Sequence, residues 1–85
     1  MAYTVRFKPS AGKFFAKLPR DLQERIRDRI DALGTNPRPP GVKKLEGEEN
    51  VWRIRVGDFR ILYEVNDKDR LVSVDRIGHR GDVYK

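Results

Sequence analysis

Arginine is concentrated in two stretches of this chain: Val51-Trp52-Arg53-Ile54-Arg55-Val56-Gly57-Asp58-Phe59-Arg60 and Arg76-Ile77-Gly78-His79-Arg80-Gly81-Asp82-Val83-Tyr84. In the first stretch, aromatic or aliphatic residues alternate with arginine. Successive side chains of a strand point to opposite faces, so this alternation predicts one apolar face and one face of clustered guanidinium groups. Like charges held side by side are destabilising unless an anion sits among them. That points to phosphate, and so to nucleic acid. Arg53, Arg55, Arg60 and Arg80 can grip successive phosphates while Tyr84 or His79 stacks on a base, the general recipe for binding a single strand.

The sharper chemistry is cleavage of RNA. The ribose 2′-OH attacks the adjacent phosphorus, leaving a 2′,3′-cyclic phosphate and a free 5′-OH. Such a site needs donors for the developing phosphorane charge, a base near the 2′-OH and an acid near the leaving oxygen. Arginine fills the first role well, but its pKa above about 12 makes it a poor proton carrier. His79 is the only histidine, and its side-chain type titrates near neutral pH. Tyr84 can exchange a proton if neighbouring cations lower its pKa. Each residue also has a plainer reading: arginine stems covering apolar surface, a hydrogen-bonded surface histidine, and an aromatic tucked against the sheet. Glu46, Glu48 and Glu49 are titratable, but they fall in a loop that sequence alone does not place.

Composition narrows the field. The 85 residues make one domain, 1–85. A chain this short buries only roughly 60% of its unfolded surface, which favours function on an open face over a deep pocket. The absence of cysteine excludes a disulfide scaffold and thiol catalysis, and with one histidine a zinc site lacks its usual ligands. No metal or cofactor is expected. The 19 Lys and Arg against 13 Asp and Glu give a formal charge of +6, which favours a polyanionic partner. There is no apolar run long enough to span a membrane, no signal-peptide core at the start and no lipidation motif. The expected location is the cytoplasm, with no membrane partner.

The elements that must position these residues read as follows. Tyr3-Thr4-Val5-Arg6-Phe7 alternates as a first strand. A short helix opens at Pro9-Ser10, with Ser10 as N-cap and Ala11, Phe14, Phe15 and Leu18 at helical spacing. Pro19 breaks that pattern. Asp21 and Glu24 have the spacing of a capping box for a second helix, whose stripe is Leu22, Ile26, Ile30 and Leu33, with Gly34 as C-cap. Residues 35–50 read as an exposed loop in which Lys43-Lys44-Leu45 forms either a brief edge strand or an anchor with Leu45 buried, and Lys43 and Lys44 add to the RNA-binding charge. Three strands follow as a meander over 51–56, 59–66 and roughly 70–77. The fold class is α+β, in the order β-α-α-β-β-β, with a helical hairpin packed on one face of a small, mainly antiparallel sheet.

Gly57-Asp58 forms a two-residue type II′ turn that pairs Val56 with Phe59, Arg55 with Arg60, Ile54 with Ile61 and Trp52 with Tyr63. Trp52, Ile54, Val56, Phe59, Ile61, Tyr63 and Val65 then face the helices, and Arg53, Arg55 and Arg60 face away. If Val72 and Val74 continue the core face, Asp75 falls near Arg60 and an Asp75–Arg60 ion pair is expected. Gly78 and Gly81 let the chain bend, carrying Arg80 and Tyr84 toward the arginine face.

These residues resemble the RelE/ParE superfamily of toxins from toxin–antitoxin pairs. The likeness spans nearly the whole chain, through the opening strand, Lys17-Leu18-Pro19, Asn36-Pro37, Lys44-Leu45 and Gly47. Its most specific pieces are Trp52 to Val65 and Gly78-His79-Arg80-Gly81-Asp82-Val83-Tyr84, which suggest the RelE branch over the gyrase-poisoning ParE branch. The resemblance implies a RelE-like fold and a ribosome-dependent, metal-independent mRNA endonuclease that cuts A-site codons. It also implies a RelB-like antitoxin, helical and acidic, and a toxin–antitoxin complex that contacts operator DNA. Arg60, Arg80 and Tyr84 match the family's two arginines and C-terminal tyrosine. Arg53 and Arg55 stand where the best-known member has lysines, which leaves His79, Tyr84 or a ribosomal group as the base. The alternatives are a non-catalytic ParE-like gyrase inhibitor on the same fold and a DNA-binding co-repressor.

Overall fold

The computed structural model describes residues 2–47 and 50–79. The chain runs β1 (Thr4–Phe7), α1 (Pro9–Ala16), α2 (Arg20–Ala32), β2 (Lys43–Lys44), β3 (Val51–Val56), β4 (Phe59–Asn66) and β5 (Leu71–His79). The strands form one sheet in the order β1-β5-β4-β3-β2. β1 runs parallel to β5 and every other pair is antiparallel. Both helices pack on one face, where Phe15, Ile26, Ile30 and Leu33 meet Ile54, Val56, Ile61, Tyr63, Val65, Val72, Val74 and Ile77. Among the described residues no helix is long and apolar enough to cross a membrane.

The helix ends differ from the sequence expectation. Pro9, not Ser10, opens α1: Lys8 is the N-cap, with no side-chain capping bond. Proline suits the first helical position, because its missing N–H would be an orphan there anyway. The Asp21–Glu24 capping box does not form either. Pro19 occupies the N-cap of α2, and Asp21 lies in the first turn, where it complements the helix dipole. Phe14 falls off the α1 stripe and stays 37% exposed. Leu33 is the C-cap of α2, and Gly34 follows it for a spatial reason. A Cβ there would sit 3.1 Å from the Tyr3 carbonyl and 3.3 Å from Val5 Cγ2. Gly34 therefore lets β1 approach closely enough for the Tyr3 N–H to donate to its carbonyl at 2.7 Å.

The β3–β4 hairpin has the expected register, Val56 to Phe59 through Val51 to Glu64. Gly57 adopts φ +60°, and Asp58 is not in the positive-φ region, as a type II′ turn requires. A Cβ on Gly57 would also come within 3.4 Å of the Arg25 guanidinium, so α2 reaches the hairpin tip. The β4–β5 pairing holds a β-bulge: Tyr63 pairs with Val74 and Leu62 with Arg76, leaving Asp75 as the extra residue. The bulge restores Ile77 to the core after Val72 and Val74, where strict alternation would have turned it outward.

The long loop is fastened to the sheet from two sides. Tyr63, fully buried, donates its hydroxyl to the Pro37 carbonyl at 2.7 Å, and burial drives its phenol pKa far upward. Arg38 donates to both carboxylate oxygens of Asp67, at 2.8 and 3.3 Å, while Tyr3 donates to the same carboxylate at 2.6 Å. Arg38 also lies over the Trp52 ring, 5.2 Å from its centroid.

Tyr63→Phe leaves the buried Pro37 carbonyl unpaired, and a loss of about 1–3 kcal/mol is expected in urea unfolding, with an unchanged m-value. The hydrogen bonds from Arg38 and then Tyr3 hold the Asp67 carboxyl below its ordinary value of 3.8. A depressed carboxylate stabilises the fold at neutral pH and loses that contribution as pH falls through its folded-state pKa. The stability advantage over Asp67→Asn should therefore be present at pH 7 and disappear below the ordinary carboxylate range.

Candidate nucleic-acid interface

Residues paired directly across neighbouring strands share a face of the sheet. Arg55 pairs with Arg60, and Lys43 with Arg53. Lys43, Arg53, Arg55 and Arg60 therefore stand together on the side away from the helices. Arg55 and Lys43 are exposed, while Arg53 and Arg60 are half-buried. Val51 and Leu62 belong to the same side by register, yet they are 6% and 4% exposed and lie outside the helix-side core. The cations thus border an apolar floor. Charges beside low-dielectric matter attract an anion more strongly than charges surrounded by water.

The bulge brings two further residues to this side. Gly78 lies opposite Arg60 and is buried, so this β5 position adds no side chain of its own beside Arg60. Arg76 lies opposite Leu62 and is exposed, at a margin where it also borders a recess of about 380 Å³ beside Ser10, Ala11 and Phe14. Arg76 was not among the residues singled out from the sequence. The signal was the step from two to three in the spacing Val72, Val74, Ile77, which marks a bulge and resets the alternation.

Other expected members of the cluster are placed elsewhere. Lys44 pairs with Trp52, so it stands on the helix side, its Nζ 6.0 Å from the centroid of that ring. His79 pairs with Phe59, another helix-side residue, and meets its ring edge-on at 5.1 Å. Asp75 does not form the expected pair with Arg60. As the bulge residue it lies 3.5 Å from Lys8 Nζ, which also binds Glu64 at 2.7 Å. The hydrogen bond that Lys8 donates to Glu64, opposed by partial desolvation and aided by Asp75, raises the Lys8 pKa. Arg80, Tyr84, Glu48 and Glu49 lie outside the described residues. Among the described residues no cluster of three or more His, Asp or Glu is arranged to hold a metal.

Comparison with known proteins adds an independent line. The sequence model of the ParE toxin family, from the type II parDE toxin–antitoxin system, matches residues 5–84. RelE1 of Methanocaldococcus jannaschii is 32% identical, the match covering 100% of this chain and 98% of that protein. Toxin RelG of Mycobacterium tuberculosis is 31% identical over 100% of this chain and 99% of its own. Among solved structures, the archaeal RelE–RelB complex from Pyrococcus horikoshii contains a chain that superposes with a TM-score of 0.84 at 32% identity. That match covers 98% of this chain and 100% of the other.

The Arg55–Arg60 opposition has a measurable consequence. Like charges directly across an antiparallel pair destabilise it by some tenths of a kcal/mol up to about 1. Arg55→Thr should therefore raise unfolding stability by that amount at low salt while weakening the binding of single-stranded RNA. Chemical unfolding and fluorescence anisotropy read the two effects separately.

Proposed function

This chain belongs to the RelE/ParE superfamily of toxins of type II toxin–antitoxin systems, and on that premise we propose that it is an mRNA endoribonuclease acting in the ribosomal A site. The observation that carries this reading is the pairing of Arg55 with Arg60 on an open face beside the buried Gly78. It is a cationic arrangement on an accessible surface, suited to a polyanion.

In the proposed reaction the 2′-OH of the bound codon attacks the adjacent phosphorus and the 5′-oxygen leaves. Arg60 and Arg80 hold the scissile phosphate and stabilise the charge that grows on its oxygens. Arg53, Arg55 and Lys43 hold flanking phosphates. Guanidinium groups cannot act as the base, because they do not deprotonate in this pH range. His79 stands across the sheet from this cluster, so proton transfer falls to Tyr84 or to a group of the ribosome. Tyr84 also serves to orient the nucleotide. The internal nucleophile makes a metal unnecessary for the attack.

The partner proposed for this chain is a RelB-like antitoxin, helical and acidic, by likeness to the Pyrococcus horikoshii pair and in keeping with the formal charge of +6. Such a complex would contact operator DNA chiefly through the antitoxin. A toxin that meets the ribosome works in the cytoplasm. A second reading, a non-catalytic gyrase inhibitor, is favoured by one observation: the matching family model is that of ParE.

Primer extension on translated mRNA distinguishes the two. The parent should give codon-specific cuts, and Arg60→Ala, Arg80→Ala and Tyr84→Phe should each reduce them at least about ten-fold. His79→Gln should cut like the parent. Growth arrest with intact mRNA and linearised DNA would establish gyrase poisoning instead, and undiminished toxicity of Arg80→Ala and Tyr84→Phe would sink the site assignment.

A further inference from the structure

The outer face of the sheet does not end with its arginines. Toward the opposite end of the strands it forms a groove of about 760 Å³, lined by residues of β1, β4 and β5 and the adjoining turns. That size lies in the range of pockets that hold a nucleotide-sized ligand. The register explains its floor. Arg6 pairs with Ser73, Ser73 with Glu64, and Glu64 with Val51, so one cross-strand row runs across four strands. Asn66 and Lys68 flank this row on the side of the β4–β5 turn, and Lys8 approaches it beside Glu64.

The Lys8–Glu64 pair is the distinctive element. Lys8 Nζ donates to Glu64 Oε2 at 2.7 Å, with side-chain exposures of 39% and 44%, so both groups remain within reach of a ligand. A carboxylate accepts through two oxygens and about four lone-pair sites, and an ammonium has three donors. The pair therefore offers a row of acceptors with a cationic donor alongside. Among the bases, guanine alone presents two adjacent donors, N1–H and N2–H₂, next to an acceptor, O6, on its Watson–Crick edge. Adenine and cytosine bring a single amino group there, and uracil a single imino N–H. Arg6 and Lys68 supply positive charge at the margin for a phosphate. Unstacked bases of single-stranded RNA are read along such edges.

We infer that this groove is a guanine-selective nucleotide subsite, in which Glu64 accepts from N1–H and N2–H₂ and Lys8 donates to O6. Glu64 lies four residues from Arg60 on β4, roughly 13 Å along the strand. The subsite therefore takes a nucleotide outside the one cleaved, on the same strand of RNA. Its role in that strand rests on the mRNA-cleavage reading, but nucleotide binding by the groove can be measured without it.

The test is a titration of the isotope-labelled full chain with guanosine, inosine and adenosine 5′-monophosphates, followed through backbone amide shifts. GMP should shift the amides of Arg6, Glu64 and Ser73 and bind roughly ten-fold more tightly than AMP, toward the low end of bidentate base discrimination. IMP, which lacks the N2 amine, should fall between. Glu64→Gln replaces one acceptor oxygen with a donor and should abolish the preference for GMP while the spectrum stays native. Shifts confined to residues 53–60, equal for GMP and AMP, would overturn the subsite and leave the arginine face standing. So would a groove indifferent to GMP that responds only to an antitoxin, since it would then be a protein contact. Guanine-selective shifts in a protein that fails to cut mRNA would uphold the subsite while the nuclease reading falls.

Discussion

The structure depends on the register of one hairpin. Gly57, at φ +60°, closes a two-residue turn that sets Val56 against Phe59, and every later pair follows from it. A one-residue slip would send Ile54, Ile61 and Tyr63 to solvent and drive Arg53, Arg55 and Arg60 toward the helices. Burying an aliphatic or aromatic side chain contributes about 1.5–3 kcal/mol. Holding two arginines opposite one another costs at most about 1 kcal/mol. Three such core residues outweigh the repulsion several times over. The force that assembles the core therefore also maintains the arginine face.

The remaining contacts turn that hairpin into a firm platform. Tyr63 reaches from the centre of the core to the Pro37 carbonyl, and the Arg38–Asp67–Tyr3 network ties the same loop to the β4–β5 turn and to β1. Gly34 permits the close approach of β1, and Arg25 meets the hairpin tip from α2. The outer face is consequently divided by position. Arg55 and Arg60 stand near the hairpin tip, Leu62 and Val51 lie beyond them, and a polar groove of mixed charge lies at the far end.

Strand parity separates His79 and Lys44 from this face. His79 and Lys44 pair with Phe59 and Trp52, both on the helix side. The face thus concentrates groups that stabilise negative charge and lacks, among its described residues, a side chain that titrates near neutral pH. In the proposed reaction, charge stabilisation and proton transfer therefore fall to different parts of the chain, with Tyr84 as the proposed proton carrier.

Much of this was legible in the sequence, because local rules are strong there. Period-two alternation over 51–65 and a Gly-Asp turn define strands, faces and register without knowledge of distant partners. The Pro19 break and the Leu22, Ile26, Ile30, Leu33 stripe similarly define a helical hairpin. Other features required the tertiary structure, because they arise where two elements meet. Pro9 and Pro19 displaced the Ser10 and Asp21 caps. Packing of Ile77 drew a bulge into β5, which took Asp75 from Arg60 to Lys8 and aligned Gly78 and Arg76 with the arginine face. The groove, with its Arg6-Ser73-Glu64 row, exists only because β1 docks parallel to β5, a pairing between residues nearly seventy positions apart. The sequence by itself determined which residues share a face, since that follows from the pleat of a single strand. Only the tertiary structure decided which faces adjoin, since that follows from which strands pair and where one of them carries an extra residue.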